Sequence, residues 1–328
     1  MRLDFIKKLY VAVLVTLFIT PFALAADEDS YPSRPVKLIV PFPPAGSTDI
    51  MARRLAERLG ATMGQTFVVE NKPGAGGNIG AALVAKSSAD GYTILIGSSG
   101  VISVNPHLYK DAGFNAATDF VAVSLLVRMP ALIVAHQNFP AKDLLPFVAY
   151  IKENPLTYGH PSVGSSKHIA AEELRMKTGA KLTPAAYKGS VPMLNDLLGG
   201  HIMIAFDEPL TAMPHIKAGK MAPIAITGPV RWPTLPNVPR VLEAGGSLAD
   251  YDVTGWFGLF VPTGTSSQIV QRLNTAVRKV FSDEEFRRTL YNMGSEPVGS
   301  SVAEADQFVR TEYQRWGDLI RITGLKAE

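Results

Sequence analysis

One three-part unit narrows the possible folds most: an apolar strand, a proline–glycine loop, then an amphipathic helix, and the chain uses it twice. Val36-Lys37-Leu38-Ile39-Val40 is an apolar run of buried-strand length. Pro41-Phe42-Pro43-Pro44-Ala45-Gly46-Ser47-Thr48-Asp49 follows it. From Ile50 to Leu59, Met51, Leu55 and Leu59 recur every four residues beside Ala52 and Ala56. Arg53, Arg54, Glu57 and Arg58 take the opposite face, so the spacing predicts a helix, stopped by Gly60. Ser47, Thr48 or Asp49 is expected to cap its first turn. N–H groups without partners and the positive helix end make such a loop a ready anion site, and Gly46 lets a ligand approach the backbone. An ordinary strand-to-helix connection, capped for stability alone, has the same residues.

The second copy starts at Leu156-Thr157-Tyr158-Gly159. It passes through His160-Pro161-Ser162-Val163-Gly164-Ser165-Ser166-Lys167-His168 into a helix from Ile169 to Thr178, stopped by Gly179. Two loops of one build, far apart in the chain, point to a cleft with one jaw from each of two lobes. Neither loop contains an arginine. Lys167 is the nearby cation, and its place in the first helical turn directs it toward solvent. Backbone N–H groups and serine hydroxyls are therefore expected to hold any anion.

The stretches between supply the rest of an α/β fold. Thr66–Glu70 reads as a strand leading to Asn71-Lys72-Pro73-Gly74-Ala75-Gly76-Gly77-Asn78-Ile79-Gly80 and a helix from Ala81 to Ala85. This is not a dinucleotide fingerprint, because position 79 is Ile79 where glycine is needed. Tyr92–Ile96 is a third strand and ends in Gly97-Ser98-Ser99-Gly100. Strands alternating with helices predict parallel sheets, which bind ligands beyond their carboxyl ends. Phe120–Val127 and Ala131–Ala135, separated by Arg128-Met129-Pro130, mark a first crossing into the second lobe. A helix at Leu145–Glu153 follows there. Thr183–Tyr187 is extended and ends in Lys188-Gly189-Ser190; Val191–Leu198 is helical. His201–Phe206 is a strand with Asp207-Glu208 at its carboxyl end, and Pro223–Thr227 is the next. Tyr251–Val261 reads as the return crossing, and helices at Ser267–Phe281, Asp283–Met293 and Ala303–Ile322 finish the first lobe.

Function classes fall away by composition. The start is basic (Arg2, Lys7, Lys8), Leu9–Ile19 is apolar and Ala23-Leu24-Ala25 is a small-x-small signal. This predicts a secretory leader cut after Ala25. The run is too short to span a bilayer. Without it the formal charge falls from +3 to about +1, which gives no reason to expect nucleic acid or a membrane surface as partner. The chain has no cysteine, hence no disulfide and no thiolate chemistry. It has no Gly-x-Ser-x-Gly elbow, no Ser-x-x-Lys and no phosphate-loop lysine motif. Its six histidines show no metal-site spacing, so neither metal nor cofactor is expected. His160 and His168 flank the second loop, as hydrogen-bonded structural residues or as cleft lining. Asp207-Glu208 sits where acid–base groups can, or accepts bonds from neighbouring loops. Trp232, Trp256 and Trp316 are expected in the core or hinge.

Four motifs in this order, Pro41-Phe42-x-Pro44-x-Gly46-x-x-Asp49, Asn71-Lys72-Pro73-Gly74-Ala75-Gly76-Gly77, Tyr187-Lys188-Gly189-Ser190 and Gly255-Trp256-Phe257-Gly258-Leu259, resemble the solute receptors of tripartite tricarboxylate transporters, the Bug proteins. Each motif alone is weak; the ordered set covers essentially the whole mature chain. The resemblance implies a periplasmic-binding-protein fold (type II, Venus flytrap), each lobe a mostly parallel sheet flanked by helices. Residues 33–128 with 253–328 would form one lobe and residues 129–252 the other, with hinges near Arg128 and Gly255. It implies a monomeric periplasmic protein that captures a small organic carboxylate and delivers it to the membrane subunits of such a transporter. The implied binding set is Phe42, Pro44, Ala45, Gly46, Ser47, Asp49, Gly76, Gly77, Ser98, Ser99, Pro161, Ser162, Gly164, Ser165, Ser166, His168, Tyr187, Gly189 and Asp207. Pro44-Ala45-Gly46 stands where the family commonly has a glycine pair, and Ser162-Val163-Gly164-Ser165 has one glycine where two are frequent. Porphobilinogen deaminase has a related two-lobed fold, but its cofactor hangs on a cysteine that this chain lacks. Two other readings are a periplasmic sensor of the same ligand and an exported hydrolase using His168 or Asp207.

Overall fold

The apolar runs pair into two sheets rather than one. The structure is a computed structural model that describes residues 30–324, and residues from Pro32 onward form one unit. The leader assigned to Met1–Ala25 lies outside the described residues. In chain order the elements are β1 (Val36–Val40), α1 (Ser47–Met63), β2 (Phe67–Asn71), α2 (Asn78–Ala85), β3 (Thr93–Ser98), α3 (Asn105–Leu108), β4 (Phe120–Pro130) and β5 (Leu132–His136). Then come α4 (Leu144–Glu153), β6 (Leu156–His160), α5 (Ser166–Thr178), β7 (Leu182–Ala186), α6 (Ser190–Leu198), β8 (Ile204–Asp207), α7 (Pro209–Lys217) and β9 (Met221–Ile226). β10 (Thr254–Pro262), α8 (Ser267–Phe281), α9 (Glu284–Asn292), β11 (Glu296–Pro297) and α10 (Val302–Thr323) complete the order.

The first sheet is ordered β11-β4-β10-β3-β1-β2 and the second β7-β6-β8-β5-β9, a two-lobed α/β fold. β1, β2, β3 and β4 run one way, as do β6, β7, β8 and β9 in the second sheet. The reversed strands are the short β11 and the two that receive the chain from the other sheet, β5 and β10. The reason is geometric. β4 and β9 end at the edge where the sheets meet, so the strand that enters next must start there and run away. Helices cover the faces, and β3 and β8 are buried almost throughout, which is why they read as unbroken apolar runs.

The two crossings are tied together by Thr227, which is fully buried. Its backbone N–H donates to Ala131 O (2.9 Å) and its hydroxyl to Val253 O (2.6 Å), while Val253 N–H donates to Thr227 O (2.9 Å). α10 then packs on both lobes. Trp316 and Ile320 share a core with Val104 and Leu108 of the first lobe and with Ile169 and Leu174 of α5. Trp256 and Trp316 both donate their indole N–H to the buried Glu312 (3.1 and 2.8 Å).

Boundaries shift by up to three residues from those read in the sequence, and α3, α7 and β11 have no counterpart there; two further differences have a clear cause. Arg128-Met129-Pro130 does not break the chain: β4 continues to Pro130, because β10 pairs alongside it to Thr254. The helix expected to stop at Gly60 runs on to Met63 and ends at Gly64, which adopts the left-handed φ of 71° and closes the helix onto Gly60 O. Its cap also differs. Gly46 is the N-cap, with no side-chain capping bond.

Candidate functional site

Helix starts built from Gly and Ser converge between the two sheets. They enclose a cavity of about 280 Å³ lined by the loops after β1, β2, β3, β6 and β7, by Glu208, and by Trp256 and Phe257 of β10. α1, α5 and α6 all point their N-termini into it: Gly46-Ser47-Thr48, Ser165-Ser166-Lys167 and Gly189-Ser190-Val191 are on the wall. A capping side chain uses up first-turn N–H groups, and at α1 and α6 the cap is glycine and uses none. At α5 the Ser165 hydroxyl takes only the His168 N–H (3.2 Å). No described residue accepts from the backbone N–H of Ser47, Thr48, Ser166, Lys167, Ser190 or Val191. Three helix ends therefore present donors and partial positive charge to one volume.

The charged groups of the site are where the sequence did not place them. Lys167 does not face solvent. Nine consecutive residues of α5, Ser166 to Leu174, are buried because the helix start is wedged between the lobes. The Lys167 ammonium instead pairs with Glu208, and both side chains are almost wholly enclosed. The Ser47 hydroxyl reaches across the cleft and donates to the other oxygen of the same carboxylate. The sequence points to Asp207, but its neighbour Glu208 is the carboxylate on the wall. Successive strand residues point to opposite sides, and the two carboxylates obey that rule. Asp207 turns inward and accepts from the hydroxyls of Ser190 (2.6 Å) and Thr211 (2.5 Å). Burial raises its pKa to about 6, against the lowering effect of those two bonds.

Of the residues selected from the sequence, Phe42, Pro44, Gly46, Ser47, Gly76, Ser98, Ser99, Pro161, Ser162, Ser165, Ser166 and Gly189 lie on the cavity wall. The other seven do not, and most of these shape the walls from behind. Asp49 accepts from Ala45 N–H (2.9 Å), Asn71 and Arg53, and so holds the first loop. Gly77 packs against Phe42 and Val101. The N–H of Gly164 donates to His168 Nδ1 (3.3 Å). The Tyr187 hydroxyl donates to Asp196 (2.7 Å). His168 stacks flat on His160, with centroids 4.1 Å apart, and His160 Nδ1 bonds to Ser162 O (3.0 Å). Burial takes His168 down to about 4; burial, then the adjoining His168, takes His160 down to about 3. Both are neutral props for the second loop, and neither they nor Asp207 opens onto the cavity where a hydrolase would need them.

The reading of the sequence missed Pro43, Thr48, Gly100, Lys167, Lys188, Ser190, Val191, Pro192, Glu208, Trp256 and Phe257. A signal existed for two groups: Ser190-Val191-Pro192 opens a third helix with a glycine before it, and Trp256-Phe257 lies in the Gly-Trp-Phe-Gly motif. The cleft is shut around this wall. The two lobes touch where Gly164 lies against Asn105 and where Gly100 faces the carbonyl of Gly164.

Known proteins share this architecture. A family model described as "Tripartite tricarboxylate transporter family receptor" matches residues 51–325. Protein BugT of Bordetella pertussis is 34% identical over 318 residues, covering 95% of this chain and 97% of its own. The solved structure of R. palustris Rpa4515 with adipate superposes with a TM-score of 0.87 at 36% identity, over 90% of this chain and 99% of that one. MatC from Rhodopseudomonas palustris with bound malate gives 0.82 at 32%, over 88% and 100%. With its two sheets, its glycine-capped helix starts and a match over most of its length, the chain belongs to the tripartite tricarboxylate transporter receptor family.

Proposed function

We propose that the protein is a periplasmic receptor that closes on a small organic carboxylate and passes it, as a monomer and without turnover, to the membrane subunits of a tripartite tricarboxylate-type transporter. The observation that carries this reading is the convergence of three helix N-termini, from both lobes, on one enclosed volume that also holds the Lys167 ammonium. Hydrogen bonds to a charged group contribute roughly 1.5–3 kcal/mol each and a helix terminus roughly 0.3–1 kcal/mol. Three or four such contacts hold a small acid even after the cost of association. The relatives that hold adipate and malate support the ligand class.

In this reading residues 33–128 with 253–328 move as one lobe and residues 129–252 as the other. Thr227, bonded to both crossing segments, is the pivot. Residues 1–25 direct export. A thermal-shift screen against organic acids is the test: a ligand at a hundred times its Kd stabilises by about 2.7 kcal/mol. A complete panel of mono-, di- and tricarboxylates and amino acids that leaves the melting temperature unmoved would sink the proposal.

A further inference from the structure

We infer that the cavity selects carboxylates bearing an ammonium group on the adjacent carbon, small α-amino acids, and that Glu208 is the residue that selects them. This deepens the receptor reading and rests on it.

The inference starts from what Glu208 already occupies. Ser47 stands in the first turn of α1 and Lys167 in the first turn of α5, on opposite jaws. Their hydroxyl and ammonium are side-chain donors on the cavity wall, one from each jaw, and both are spent on Glu208, one on each oxygen. The Glu208 side chain is only 3% exposed and Lys167 only 9%, so the pair meets in the wall of the cavity and not in bulk water. A fixed negative charge thus sits where the anion-binding donors converge.

A ligand that is only an acid has to share those donors with Glu208, carboxylate against carboxylate, in a site where screening is weak. A ligand with an ammonium beside its carboxylate removes the conflict. Its ammonium takes the Glu208 oxygens, its carboxylate takes the freed Ser47 hydroxyl, Lys167 and the helix N–H groups, and no charge is left without a partner. Ser47 and Lys167 touch the same side chain, so the two loci are neighbours and the ammonium belongs on the adjacent carbon. Among the lining residues Glu208 is the one carboxylate, since Asp207 is turned toward Ser190 and Thr211. Lys188, exposed at the rim, is the other cation.

Matched pairs test the idea by titration calorimetry on the mature protein: aspartate against succinate, glutamate against glutarate, alanine against propionate. At least one amino acid is expected to bind about tenfold or more tightly than its partner without the amine, one decade being the weight of a single charged contact. Glu208→Gln is expected to abolish or reverse that preference. The double variant Lys167→Gln with Glu208→Gln, which strands neither charge, is expected to lose it as well; circular dichroism checks that both stay folded. If the acid without the amine binds as well or better in the unaltered protein, the inference falls while the receptor function stands. If the amino acid is preferred but Glu208→Gln keeps the preference, Glu208 is not the selector and the inference falls. If no carboxylate of any kind binds, the receptor reading falls and takes the inference with it.

Discussion

The loop before α1 and the loop before α5 read as copies in the sequence, yet they keep their shape by different means. In each, one residue adopts a left-handed conformation, the next caps the helix, and the third helical residue reaches back to accept the N–H of the left-handed one. In the first loop these are Ala45 (φ 65°), Gly46 and Asp49. In the second they are Gly164 (φ 76°), Ser165 and His168. Glycine and the functional side chain have exchanged places, and a carboxylate on one side does the work of a neutral imidazole on the other. What the fold requires is a group that accepts at the third helical position. Its charge is free to vary, and so is the location of the glycine.

The exchange is not neutral toward closure. Gly164 faces the other lobe, where a Cβ would collide with Asn105 Oδ1, whereas a Cβ on Gly46 meets nothing nearer than Pro43 O at 3.7 Å. Gly164→Val is therefore expected to block closure and weaken ligand binding by about a hundredfold or more, the size of a lost charged-group contact or two. The clash lies between lobes, and the left-handed φ of 76° adds roughly 1–2 kcal/mol of strain within the second lobe, so each lobe is expected to stay folded by circular dichroism. Gly46→Ala is expected to cost far less. Calorimetry that finds the two equally damaging removes the distinction.

The next position along separates the loops again. Thr48 and Lys167 both sit at the second helical residue, buried and on the wall. Lys167→Met removes the cation offered to the ligand carboxylate, a charged-group contact of about 1.5–3 kcal/mol, or roughly ten- to a hundredfold in affinity. Thr48→Val removes one hydroxyl and is expected to cost about fivefold at most. Equal losses would show that Lys167 carries no more weight than a neutral donor.

Much of this was legible in the chain and some could not be. Both loops, both helices and most strands along the chain follow from apolar spacing and Gly/Pro punctuation, because those signals act over a few residues; the order of strands within each sheet does not. The orientation of Lys167 and Glu208 did not follow. A lysine in a first turn is normally solvated, and only the wedging of α5 between two lobes buries it; that packing is set by residues as far apart in the chain as Val104 and Ile320. Asp207 and Glu208 look alike in sequence as strand-end carboxylates, and one residue of register decides which faces the cavity. Gly60 reads as a helix stop because a stop glycine and an internal one look alike in sequence; the left-handed residue is Gly64.

Acid distinguishes the two props. His160 and His168 have folded pKa values near 3 and 4, below their usual 6.5. Between about 6.5 and 4 the unfolded chain therefore binds more protons, and stability falls as pH falls through that window. Asp207 works the other way: its folded value near 6 exceeds 3.8, so it gains a proton in the folded state as pH drops below 6. Two imidazoles outweigh one carboxyl, and the net expectation is lower stability at pH 5 than at pH 7 in urea unfolding. His168→Asn, whose Oδ1 can still accept from Gly164, is expected to flatten the decline. Asp49 does not contribute in this range. Burial opposes its ionisation, but bonds from Arg53, Ala45 N–H and Asn71 hold its pKa below the ordinary value, so its share is lost only under still more acid conditions. An unchanged slope in His168→Asn would mean the imidazole pair does not set the acid limit.

The smallest expected effect lies in the mirror position. Ala45 holds a left-handed φ of 65° with a Cβ, where the second loop has glycine. For an L-residue that conformation costs roughly 1–2 kcal/mol. Ala45→Gly relieves this strain, but it also frees the unfolded chain, a penalty of about 0.4–1 kcal/mol. The difference is a gain of between about 0 and 1.6 kcal/mol. Ala45 does not line the cavity, and its N–H bond to Asp49 does not involve the side chain. Affinity should therefore stay within about twofold while stability rises slightly, since only a backbone strain and no ligand contact has changed. A loss of stability instead would mean that Ala45 is not strained in solution. The first loop would then owe its shape to Pro43-Pro44 and the Asp49 bond alone, and the correspondence between Ala45 and Gly164 would be one of position and not of conformation.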